Sequence, residues 1–576
     1  MRAEGLRFED FSPAVLEELF GDSYACHYVR GYLARLHATS ILVEPHYIDR
    51  HYLDDFANYY ARSFKPPEPW CSRVHFFERL GKQQLVDTFG SAYPSEATRD
   101  IAERALRAAY LGFIVRRPLA GATIGRTVLK TYPVEGRRHY PVVRPYEVHV
   151  AGLSLRIDGL AYQQQDRGAA VCASTALWSA LQRVARVAGH RTPTPTAITR
   201  AAGSPFPASA GLDQMQMAAA LSSLGYLADR FAPEENRPLF RAMLVACLDS
   251  QLPVILLITR KEPTGAGEVP IGHAVCVTGY SEPPTVASVP ATRADRPPIA
   301  MKGGAVVTLY VHDDNLGSHA HYELFDNPDD TDLLEGYPKL MLRRGRSTAP
   351  PRPTAPAPPA SLAPGPSVAP APRDAAAPSD GEDVAAPSTP GPEQVVPSGP
   401  ATATPADGTA GDWWPVDEWA VFGALVPKPD KLRLSIRQLL YDLIELRPIF
   451  RAVLPRLAIH FAPHFGLGVD YKRSLFQLGL DAAALRAFME TPLPRHVGIL
   501  SVFCGDVHIL DAILDVSEVE RDPGSPPVLS IVAPGVEMNS IAWVLLVGVA
   551  NHFKWPLVTR PAASVPSPPT ATPPPP

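Results

Sequence analysis

Tyr162-Gln-Gln-Gln-Asp-Arg-Gly-Ala-Ala-Val-Cys172-Ala-Ser-Thr-Ala-Leu-Trp-Ser-Ala-Leu181 falls into two halves. The first is polar and contains a glycine, which reads as a loop. In the second, Ala173, Ala176, Leu177, Ala180 and Leu181 share one face, and the pattern runs on through Val184 and Val187. That spacing predicts a buried helix, with Trp178 in the core. Cys172 stands at the junction. There the positive end of the helix dipole and unpaired backbone N–H groups stabilise a thiolate. The same N–H groups can stabilise the oxyanion formed when a thiolate attacks a carbonyl. Taken alone, a cysteine at a helix start is more often a small core residue than a nucleophile.

Three further stretches give Cys172 chemical company. Gln165 lies seven residues upstream, with Gln163 and Gln164 beside it, and a side-chain amide near a nucleophile can complete an oxyanion hole. Pro270-Ile-Gly-His273-Ala-Val-Cys-Val-Thr-Gly-Tyr280 places a histidine at the start of an apolar β-run, a rigid position for a general base. Val306-Val-Thr-Leu-Tyr-Val-His-Asp313-Asp314-Asn315-Leu-Gly317 delivers two carboxylates at the end of another β-run. A carboxylate bonded to the imidazole Nδ1–H would fix the tautomer and favour the imidazolium. Each stretch alone has a bland reading as a solvated loop, a structural histidine or a turn. The order of helix-start cysteine, strand-start histidine and strand-end aspartate is the specific part.

In this order and in these motifs, residues 161–325 resemble papain-like cysteine peptidases. The resemblance is closest to the bacterial branch that includes the double-glycine leader peptidases. It rests on Gln165 with Cys172-Ala, on Gly272-His273-Ala-Val-Cys-Val-Thr-Gly279, and on Val311-His-Asp313-Asp-Asn-Leu-Gly317. Gly211 to Tyr226 looks like the family's second helix, and Leu252-Pro-Val-Ile-Leu-Leu-Ile258 like the strand before the histidine. The resemblance implies Cys172 as nucleophile, His273 as general base, Asp313 as orienter (Asp314 is the alternative) and Gln165 as oxyanion donor. The chain departs from the family pattern in three ways. Asp166 stands where the glutamine usually lies, the usual Cys-Gly is Cys-Ala, and a Pro-rich insert of about residues 281–298 lengthens the histidine-to-aspartate connection. The implied activity is hydrolysis of a peptide or amide bond through an acyl-enzyme. Acyl transfer or isopeptide cleavage on the same triad, or a silent peptidase-fold scaffold, are the alternatives.

Outward from this region, the fold class predicted is α+β, with a helical lobe against an antiparallel sheet in a central domain, 151–346. Residues 1–150 read as an α+β domain. Its helices are expected at 12–20, 48–64 and 95–110, and β-runs at 111–116, 125–132, 140–149 and 153–157. Composition changes to Pro, Ala, Ser, Thr and Gly over 347–411, which predicts a disordered linker able to dock partner domains; 561–576 is a tail of the same kind. Between them, 412–560 reads as an α+β region that could complete the catalytic domain, with helices at 432–454 and 480–489 and strands at 497–503 and 528–532.

Sequence-wide features narrow the function classes. Net charge is −5 with no long basic run, which argues against nucleic acid. Ile541 to Ala550 is the most apolar segment but far short of the roughly 20 residues of a membrane span. It is therefore expected as a buried strand or helix, and no membrane partner is predicted. Six cysteines without C-x-x-C pairing or a secretion signal suggest reduced thiols and a cytoplasmic location. No phosphate-binding or dinucleotide motif appears, so no cofactor is expected. His312, His319 and His321 cluster near the acid without a ligand set, so no metal is expected either. A protein or peptide is the expected partner.

Overall fold

The sequence folds, in a computed structural model, into a mixed α+β protein. The structure describes residues 5–133, 137–166, 171–203, 211–233, 237–264, 267–282, 286–289, 298–331, 338–344, 418–455, 457–516, 528–537 and 540–559. The predicted linker at 347–411 and the tail at 561–576 lie outside them.

The N-terminal part is a five-stranded antiparallel sheet in sequential order: Arg7–Asp10, Ala38–Tyr47, Cys71–Glu78, Tyr110–Arg116 and Ile124–Leu129. Helix α1 (Tyr24–Arg35) packs on it through Val29, Tyr32 and Leu33. Helix α2 (Arg50–Asn58) starts at Asp49, whose carboxylate caps the amides of His51 and Tyr52. The expected 48–64 helix is shorter: α2 ends at Asn58 and only a 3₁₀ turn, Tyr60–Arg62, follows. Two further strands, Arg144–Val150 and Leu153–Gly159, form a separate hairpin.

Helix α3 (Cys172–Ala188) is buried along most of its length, as its alanine and leucine spacing requires, with Leu177, Trp178 and Leu181 fully enclosed. It lies across a barrel. Strand β1 (Tyr226–Phe231) flanks that barrel. Strands β2 (Val254–Thr264), β3 (Gly267–Ser281), β4 (Thr308–Asp313), β5 (Gly317–Thr331), β6 (Pro338–Arg344) and β7 (Glu418–Pro429) pair antiparallel in that order. β7 also pairs with β2, Leu425–Ala420 against Ile255–Thr259, so the six strands close into a ring. Its second half then takes β1 on the edge that β6 vacates. Closure gives each of the six strands a neighbour on both sides and removes the exposed backbone an open sheet would carry.

The described residues beyond β7 belong to the same compact unit as those up to 344. A seven-stranded sheet is built from Ile459–Leu467, His496–Cys504, Val507–Asp515, Val528–Ala533 and Leu557–Thr559, extended by two short strands from the insert between β3 and β4, Ala287–Val289 and Ile299–Met301. Ile541–Phe553 is a helix, but it is not the buried element expected. Only Leu546 and Ala550 are buried in it, while Ile541, Val544 and Leu545 face solvent. It packs along one side against the helix Ile436–Val453, which leaves its other faces open. Among the described residues no helix is long and apolar enough to cross a membrane.

Candidate active site

Cys172 is the first residue of α3, and its N-cap is Val171, which offers no side-chain oxygen to the first turn. The amides of that turn are left with the positive end of the helix dipole, beside a half-buried thiol. Cys172 is among the groups that hold the His273 imidazole above its ordinary range.

His273 is not at a strand start. β3 begins six residues earlier, in a polar, exposed hairpin with β2, and His273 sits inside the strand opposite Ile258. Residues 267–272 are exposed apart from half-buried Ile271, and two glycines and Pro270 make the stretch read as a turn, which hid the true start from the sequence. His273 Nε2 lies 3.1 Å from Asp313 Oδ1 and 3.5 Å from Asp314 Oδ1. The carboxylates therefore meet Nε2, not the expected Nδ1.

Asp313 ends β4, as the sequence suggested. It is buried, yet its charge is well supplied. Tyr322 donates its hydroxyl to Oδ2, the amide of Asn315 donates to Oδ1 at 3.0 Å, and Arg344 approaches to 4.0 Å. Burial alone would raise its carboxyl, but the bond to His273, the charges of His273 and Arg344, and Tyr322 hold it well below the usual range. Burial would likewise lower His273; its bond to Asp313, the Cys172 thiol and the charges of both aspartates hold it well above an ordinary imidazole. Asp314 behaves oppositely. Burial pushes its carboxyl up to about 7, and the Asp313 charge adds to this against the pull of His273.

Gln165, expected as the oxyanion donor, is tied to the same strand end. Its backbone amide donates to the carbonyl of Asp314 at 3.3 Å, and its Nε2 donates to Oδ1 of Asn315. Asn315 Nδ2 in turn lies 3.5 Å from His273 Nε2. The loop carrying Gln165 is held by the N-terminal sheet: Tyr162 pairs with Thr127, and the Gln164 amide donates to the Ile124 carbonyl at 3.0 Å. Asp166 forms a buried ion pair with Arg117 at 3.4 Å. Residues 167–170, between this loop and Cys172, lie outside the described residues.

Three site neighbours were not legible in the sequence. Trp419 on β7 packs its ring 5.5 Å from the His273 ring and carries the Arg260 guanidinium over its face at 4.4 Å. Tyr322 and Arg344 support Asp313 from β5 and β6. Of these, only the tryptophan had a usable signal, in the Trp413, Trp414, Trp419 cluster where composition returns to normal. His312 and His319 serve the barrel. His312 Nε2 meets the Leu160 carbonyl at 3.0 Å and its Nδ1 accepts the His319 amide; burial keeps both rings neutral. Comparison of the chain with protein-family models, with curated proteins and with solved structures gives no match.

Proposed function

We propose that this protein is a papain-like thiol hydrolase of peptide or amide bonds, with a helical lobe headed by α3 facing the barrel. The observation that carries the reading is a half-buried thiol at a helix start that acts on the His273 imidazole, whose Nε2 meets the buried Asp313 carboxylate at 3.1 Å. In the reaction, Cys172 sulfur bonds to the substrate carbonyl carbon as its proton passes to His273. The carbonyl electrons move to oxygen, beside the first-turn amides of α3. Collapse breaks the C–N bond, His273 returns the proton to the leaving amine, and a thioester remains. Water then loses a proton to His273 and attacks the thioester, releasing a carboxylic acid and restoring the thiol. Asp313 holds the ring and stays ionised throughout.

Cys504, also free and half-buried, is the internal control, since Cys26, Cys71, Cys247 and Cys276 are all buried. With iodoacetamide at pH 7 and mapping by mass spectrometry, Cys172 is expected to label at least ~10-fold faster than Cys504. His273→Ala should erase the difference. Equal rates in the wild-type chain would sink the proposal. Against a fluorogenic peptide library, Cys172→Ala should abolish turnover and His273→Ala reduce it roughly 10²–10⁴-fold.

A further inference from the structure

Asp314 is superfluous to that mechanism, yet it is the most anomalous side chain at the site. It is 4% exposed, and neither carboxylate oxygen meets a partner at hydrogen-bonding geometry. The His273 ring, 3.5 Å away, and the backbone dipoles of Asp314 and Asn315 are what ease its charge. A buried carboxylate without hydrogen-bond partners is strongly disfavoured unless a counter-charge or a proton accompanies it. Asp313, by contrast, is supplied from four sides.

One donor atom each from His273, Asp313 and Asp314 lie within 4.8 Å of one another. The two separations from Nε2, 3.1 and 3.5 Å, bracket the ~3.3 Å edge of a tetrahedron around an ion about 2.0 Å from each ligand. One imidazole and two carboxylates suit zinc and its first-row neighbours, whereas calcium and magnesium favour all-oxygen sets. We infer that His273, Asp313 and Asp314 form a binding site for a divalent transition-metal ion of the zinc class, and that its occupancy silences Cys172. Binding places the ion on Nε2 in place of the N–H proton, which leaves to solvent. Nδ1 takes up a proton from solvent in exchange, so the metal-bound ring has no nitrogen left to accept the thiol proton, and the shuttle between thiol and leaving amine stops. The silencing rests on the hydrolase reading; the metal site does not.

The test uses the full chain stripped with a chelator and titrated with Co²⁺, then with Zn²⁺ in competition. One Co²⁺ per chain is expected, with visible d–d bands and no sulfur-to-cobalt charge transfer. Asp314→Asn should weaken binding at least ~10-fold with unchanged circular dichroism, and Cys172→Ala should keep the full spectrum. No binding by the wild type, a spectrum that survives Asp314→Asn intact, or one lost with Cys172→Ala would each overturn the site. Zn²⁺ should also slow iodoacetamide labelling of Cys172 at least ~10-fold, and unchanged labelling of the zinc-loaded chain would overturn the silencing. Fast labelling of the metal-free chain tests the hydrolase reading by itself. A chain that binds Co²⁺ but never labels quickly keeps the metal site and loses the hydrolase.

Discussion

Asp55 carries a second buried carboxyl whose environment sets a pH dependence, and it lies away from the site. It is 2% exposed on α2 and accepts a hydrogen bond from Thr196 Oγ1 at 2.7 Å. Burial pushes it up to about 8, against the Thr196 bond. Because the folded value exceeds the unfolded one of about 4, the folded state holds the proton more tightly. Its stability is undiminished below about pH 4 and declines as pH rises from there to about 8. Asn at this position still accepts from Thr196 and needs no proton. Asp55→Asn should therefore raise Tm by a few degrees at pH 8 and leave it unchanged near pH 4, as read by differential scanning calorimetry. The reverse order would mean that Asp55 is ionised in the folded chain.

Between α2 and the stretch formed by α3 and residues 192–200 runs a ladder of contacts. Arg50 donates to the Thr192 carbonyl at 2.6 Å, Thr194 donates to Asp54, Arg200 donates to Asn58, and Trp178 of α3 donates its indole N–H to His51 Nδ1 at 3.1 Å. Burial holds His51 at about 3, so it is a neutral acceptor. His51→Ala orphans a buried indole N–H, and urea unfolding should show a loss of about 1–3 kcal/mol; an unchanged midpoint would show that the ladder does not fasten α3. None of these pairings was visible in the sequence, since the partners lie more than 100 residues apart and polar residues on a helix read as solvated. Helix α3 itself was legible, because alanines and leucines three and four residues apart make an apolar stripe that a helix buries along one face. So was the end of β4, where Asp313 and Asp314 interrupt an apolar run. Ala38–Tyr47 and Cys71–Glu78 were not picked out as strands, because much of each is buried on consecutive residues and the alternation that marks a strand disappears.

At the scale of the molecule, the barrel depends on a strand that arrives late. β6 and β7 are antiparallel neighbours, with Arg343 opposite Glu418, although residues 345–417 separate them along the chain. No local pattern could announce this pairing, and Trp419 reaches His273 only because of it. Loop closure cost grows slowly with length, about 0.6 kcal/mol per doubling, so an intervening stretch of ~70 residues is tolerated. The strand pairing, and not the peptide connection, then keeps β7 in place.

Interrupting the polypeptide between β6 and β7 should therefore be survivable. Residues 1–345 and 415–576, made as separate chains in one cell, are expected to co-purify and to label at Cys172 like the intact protein. Failure to associate would mean that covalent connection is required to close the ring. Success would turn one gene product into an obligate heterodimer, in which the smaller subunit gives the larger one's ring a single strand and, with Trp419, the aromatic neighbour of His273.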